Sequence, residues 1–251
     1  MASEHEAVQS TTKTTMELPS FMDLLGESLH HEFLGITLHH WVPVIMSSIV
    51  ACILVATTYF ATRDLKKFPT GLQAFLEIII EGMQNFFGKI IGPKGFSFLP
   101  LIGSLFLYIL LMNLIGLIPL FHSPTANPNT TIALAGVVFF ATHYAGIRGN
   151  GFMGYIKHFM GEPKWLSPLF FPIHIVGELA RPLSLSMRLF GNIMGEDTAI
   201  AIFVGLGVSA LYIPLQFPLL LLAILFSTIQ ATIFTILSSV YIAGALGHNE
   251  H

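Results

Sequence analysis

Apolar residues run through this chain in long blocks, and the polar residues that interrupt them predict its elements. Residues 42–62 form the first block, long enough to cross a bilayer as one helix, and Arg63-Asp-Leu-Lys-Lys67 closes it. Residues 71–91 mix Leu, Phe and Ile with Glu77, Glu81, Gln84 and Lys89, which predicts an amphipathic helix along the membrane surface rather than a span. Residues 97–121 make a second span, interrupted by Asn113, Gly116 and Pro119, with a short turn from His122 to Asn129 after it. A third span runs from about Thr130 to Ile147. The Gly- and aromatic-rich stretch Arg148 to Lys164 reads as an interfacial loop. Asn129-Thr-Thr131 has the form of a glycosylation sequon, but it lies too near the membrane to read as one.

Two longer segments finish the chain, about 166–209 and 213–246, separated by Leu211-Tyr-Ile-Pro214. Forty helical residues reach about 60 Å, against a hydrocarbon core of about 30 Å. No charged turn divides either segment, so two steeply tilted helices in a hairpin are expected, a shape that suits a chain hugging a larger partner. The expected fold class is all-α: a polytopic membrane protein of about five crossing helices plus one amphipathic interfacial helix. A polar, acidic arm (1–41) precedes a single membrane domain (42–246), and a short tail (247–251) follows.

Composition agrees. The chain is 53% hydrophobic and 10% charged, with mean hydropathy +0.74, where soluble domains carry about 25% charged residues. A net charge of -3 gives no reason to expect nucleic acid. The single cysteine, Cys52, sits in an apolar block, so neither an intrachain disulfide nor a thiol site is expected. The polar first 41 residues show no cleavable signal. His30, His31, His39 and His40 come as adjacent pairs without cysteine, which fits interfacial histidines better than metal ligands. No metal, cofactor or catalytic residue is expected. No phosphate-binding loop is present, so the chain itself should not make ATP. Neither Gly-x-Ser-x-Gly nor His-Glu-x-x-His occurs, which argues against an intramembrane hydrolase.

Basic residues give the topology. Lys13 is the only one in the arm; Arg63, Lys66, Lys67, Lys89 and Lys94 follow the first span; Arg148, Lys157 and Lys164 follow the third. The turns after the second and fourth spans carry none. Positive-inside counting then puts the amino terminus outside and the carboxyl terminus in the cytoplasm.

The chemistry concentrates in one stretch, Glu178 to Asp197, inside the fourth span. An ionised side chain at mid-bilayer costs roughly 3 kcal/mol or more, so such residues read as functional. On a helical wheel His174, Glu178, Arg181, Arg188, Asn192 and Glu196 share one face within an arc of roughly 80°, and Asp197 points away. Glu178 falls about 15 Å inward of Arg188 and Glu196 about 12 Å outward. A guanidinium does not give up its proton, whereas buried carboxylates can take one. The pattern is two acid-lined half-paths separated by a fixed cation. The bland reading is a pair of ion pairs, Glu178–Arg181 and Arg188–Glu196, that lock the bundle. The last helix offers Gln216, Ser227, Gln230 and Tyr241 on one face, with Gln230 the natural neighbour of Arg188. Asn113 would join the outer path, although for Asn113 and Ser227 plain interhelical bonding explains as much.

Arg181-Pro-Leu-Ser-Leu-Ser-Met-Arg-Leu-Phe-Gly-Asn192, with Glu196-Asp197 after it, resembles the signature of subunit a of the F-type rotary ATP synthase, bacterial type. Ile229-Gln-Ala-Thr-Ile-Phe234 and Val240-Tyr241 resemble that family's last helix, and Asn113 to Pro119 and Pro124 to Thr130 its central spans. The resemblance covers about residues 40–246. It implies that Arg188 is the family's essential arginine, Asn192 its neighbouring asparagine, Gln230 the glutamine of the last helix, and Glu196 or Asp197 the outer carboxylate. The histidine that some members carry seven residues before the glutamine is Ala223 here. Implied partners are a ring of c subunits, subunit b and the rest of the synthase, in a bacterial inner membrane. The implied function is ion translocation, of protons first, through two offset half-channels. The alternative is a secondary transporter with a charged mid-membrane site, against which the chain shows no internal repeat.

Overall fold

The computed structural model describes residues 41–63, 71–118, 121, 123–160, 167–210 and 216–247, and every regular element there is helical. The helices are α1 (Val42–Thr62), α2 (Leu72–Ile91), α3 (Leu99–Ile115), α4 (Pro128–Met160), α5 (Ser167–Ala210) and α6 (Gln216–Ala245); short 3-10 turns cover Pro93–Phe98 and Pro124–Ala126. The readings of the arm and its histidines fall on 1–40, outside the described residues.

Helix starts follow local chemistry. Pro43 and Pro100 open α1 and α3 within the first two positions, where a missing N–H is harmless. Gly71 (φ 62) and Gly92 (φ 71) bracket α2. The interruption expected at Asn113 to Pro119 is the end of α3, which stops at Ile115 and tightens into turns through Leu117 and Ile118.

One expectation is corrected. Residues 148–160 are helical, not a loop, apart from Gly151 (φ 71, ψ 160), where the axis breaks. A single glycine in a left-handed conformation is enough to redirect the chain, so the neighbouring glycines need not end the helix. The two long segments hold as unbroken helices of 44 and 30 residues, even though α5 contains Pro172 and Pro182.

Among the described residues, four helical stretches are long and apolar enough to cross a membrane: Val42–Thr62, Pro93–Ile115, Pro128–Gly151 and Pro218–Ala245. The stripe-bearing α5 is not among them. Packing is that of a membrane bundle, with small and hydroxyl-bearing residues between helices and large apolar ones outside. On α6, Ala231, Thr235, Ser238 and Ser239 are buried, whereas Leu221, Leu225 and Phe226 are exposed. The buried hydroxyls of Thr235, Ser238 and Ser239 each donate to the carbonyl four residues back, at 2.8 Å, so none is left unsatisfied. One core joins Ile109 and Met112 of α3, Val138 of α4, Leu185 and Leu189 of α5, and Phe234 of α6. A second gathers Phe87 and Ile91 of α2 with Ile102, Ala145 and Ile242. Tyr108 on α3 donates to the Ser47 carbonyl at 3.0 Å and ties α1 to the bundle.

Candidate functional site

The sequence of α5 sorts its two faces. Leu185, Ser186, Leu189 and Ile193 are buried against the other helices, while Leu183, Met187 and Met194 are exposed. Arg188 lies on the exposed side and makes no hydrogen bond or ion pair among the described residues. The expected Arg188–Glu196 pair is therefore not formed. Arg188 and Gln230 are not bonded either. Instead the Asn192 amide donates to Gln230 Oε1 at 2.7 Å, and Gln230 Nε2 is buried without an acceptor among the described residues. A helical wheel gives azimuth but not axial register, and register puts Gln230 opposite Asn192, one turn beyond Arg188.

Glu178 and Arg181 do pair, at 2.8 Å, one turn apart on α5. The Arg181 guanidinium also stands over the Tyr241 ring of α6, 5.3 Å from its centre. A crevice between α4, α5 and α6 is lined by Thr142, Glu178, Arg181, Pro182 and Tyr241. Glu196 and Asp197 are half-buried further along α5, and His174 is exposed. Ala223 is buried. Gln216 opens α6, and its side chain is outside the described residues.

Asn113 is buried at the end of α3 and accepts from Thr125 Oγ1 at 2.8 Å; Thr125 in turn meets Ser123 Oγ at 2.7 Å. The Asn113 amide makes a long 3.5 Å contact with the Ser227 carbonyl of α6. Ser227 Oγ is buried with no partner among the described residues. Two unpartnered polar atoms, three residues apart on one face of α6, mark a polar strip inside an apolar bundle.

A family model described as ATP synthase A chain matches residues 44–243. The chain belongs to the ATP synthase subunit a family. It is 44% identical to ATP synthase subunit a of Trichlorobacter lovleyi, over 90% of this chain and 96% of that one. It is 48% identical to that of Geobacter sulfurreducens (79% and 84% covered) and 37% identical to that of Protochlamydia amoebophila (96% and 93% covered). As a member of the subunit a family, the chain is a membrane-sector subunit of a rotary ATP synthase, not the catalytic one, and acts in a complex with other subunits. Family membership favours this over the secondary transporter.

Sequence reasoning missed several polar residues of this subunit a chain. Thr125 and Ser123 hold Asn113, and Thr131 Oγ1 meets Ser186 Oγ at 3.1 Å between α4 and α5. His143 and Tyr155 sit near one another on α4, with ring centres 5.9 Å apart. The Asn150 amide donates to the Ala245 carbonyl at 3.0 Å and caps the last helix. The hydroxyls carried no separable signal, because serine and threonine are common in any membrane bundle. For Tyr155 the usable signal was the glycine spacing around it.

Proposed function

We propose that this chain is the ion-translocating stator subunit of the synthase, most simply a proton conductor. Two offset half-paths lead to and from the carboxylates of a c-subunit ring, and Arg188 separates them. A proton arriving from outside passes Asn113, Asn192, Glu196 and Asp197 and neutralises a ring carboxylate, which can then enter lipid. After nearly a full rotation it leaves toward the cytoplasm near Glu178. Arg188 attracts the ionised carboxylate between the paths, promotes release and blocks a direct leak. Each charge crossing is worth about 2.3 kcal/mol per 100 mV.

One observation carries this reading: a permanent cation on a side face of the bundle, among exposed apolar residues, with no counter-charge among the described residues. A guanidinium in such a place calls for an anion from a neighbouring surface. Glu178 and Arg181 on one side, and Asn192, Gln230, Glu196 and Asp197 on the other, support the two paths. Subunit b, the outside amino terminus and the bacterial inner membrane complete the proposal. Replacing both Glu196 and Asp197 by Ala tests the outer path. Proton transfer should slow; unchanged transfer would show that the path lies elsewhere.

A further inference from the structure

His143 is half-buried on α4, its ring 4.0 Å from that of Phe139 centre to centre, and its Nδ1 is 2.9 Å from the Phe139 carbonyl. A carbonyl only accepts, so Nδ1 carries the hydrogen and Nε2 keeps a lone pair. Tyr155 reaches this histidine because the chain turns back at Gly151 and because Gly146 has no side chain; a Cβ there would collide with the Tyr155 ring. Burial, and then the Glu178 carboxylate, raise the Tyr155 hydroxyl above its ordinary pKa, with Arg181 opposing. Tyr155 therefore keeps its proton near neutral pH; it stands beside the His143 ring and feels the Glu178 carboxylate, and Phe139 and Thr142, next to His143 on α4, line the crevice that Glu178 also lines.

We propose that His143 is a proton-transfer residue at the inner end of the release path, working between Glu178 and the cytoplasmic water with Tyr155 as the group that positions it. A proton reaching the Glu178 carboxylate passes to His143 Nε2, across the Tyr155 hydroxyl or a water. The imidazolium then loses it to bulk water, and both groups return to their starting states. Only O–H and N–H bonds form and break. Imidazole suits the step because it gains and loses protons readily near neutral pH. The charged and titratable groups next to this cluster are Glu178 and Arg181 of α5, which act on Tyr155, and Tyr241 of α6 beneath the Arg181 guanidinium.

The inference rests on the release path proposed above, so the test keeps the two apart. Whole ATP synthase in inverted membrane vesicles is assayed for ATP-driven acidification, with Arg188→Ala beside the His143 variants. His143→Ala and His143→Phe should assemble normally and pump about ten-fold more slowly. Added imidazole should restore much of the rate in His143→Ala and leave the parent unchanged. His143→Asn keeps a donor for the Phe139 carbonyl but has no titrating ring, so it should pump as slowly as the Ala variant. Parent-like pumping in the Ala and Phe variants would overturn the proposal. So would a loss that Asn repairs and imidazole does not, because that pattern belongs to a structural hydrogen bond. If Arg188→Ala pumps normally, the failure lies instead with the path itself.

Discussion

The Asn192 side chain donates to Gln230 Oε1 at 2.7 Å, joining α5 to α6 one turn beyond Arg188, and the second end of the Gln230 amide is buried without an acceptor among the described residues. An unmade hydrogen bond on a buried amide costs about 1–3 kcal/mol. A glutamine kept for packing alone would be a poor choice there. Gln230→Leu should therefore leave the thermal stability of the purified complex unchanged or slightly raised, while ATP-driven pumping falls by about ten-fold. Lowered stability with normal pumping would make the residue structural.

Thr125 is fully buried and holds the Asn113 carbonyl oxygen at 2.8 Å. Thr125→Val keeps the shape but strands that oxygen, so it should destabilise the chain by about 1–3 kcal/mol. Thr125→Ser retains the hydroxyl and should cost less. Thermal unfolding of the two variants in detergent checks the order.

How far these features could be read from the sequence depended on which physical signal each one left. Charged and amide side chains in an apolar segment are conspicuous, so Arg188, Asn192 and Gln230 stand out in the sequence itself. Apolar length was equally plain, and the first span, expected at 42–62, is observed as Val42–Thr62. What depended on three-dimensional register was lost. Gln230 was matched to Arg188 because azimuth alone cannot separate neighbours one turn apart. The close spacing of several glycines makes the stretch around Tyr155 read as a loop, yet among its described residues only Gly151 takes a positive φ. Thr125 and Ser186 gave no warning, since a buried hydroxyl looks like any other until its partner is known.

Asn150 supplies a side-chain cap to the end of α6, donating to the Ala245 carbonyl at 3.0 Å. Asn150→Ala should loosen the last turn of α6 by about 1 kcal/mol, with little effect elsewhere. Hydrogen exchange should rise around residues 242–247 and stay constant in α3. Equal exchange in both places would contradict the cap.

Gly191 lies on the exposed face of α5, and a Cβ added there meets nothing within 4 Å. Gly191→Leu should fold at least as well as the parent, since leaving glycine in a helix costs about 0.5–1 kcal/mol. If a ring approaches this face closely, the added bulk should block docking. The variant chain should then reach the membrane in normal amount but lose pumping and co-purification with the ring. Full retention of both would move the proposed contact to another surface.

Arg188→Ala tests the central claim most directly, measured as ATP-driven proton pumping in vesicles together with the amount of assembled complex. A lone cation that divides two paths predicts normal assembly with pumping abolished. Near-parent pumping by an assembled Arg188→Ala complex would contradict it.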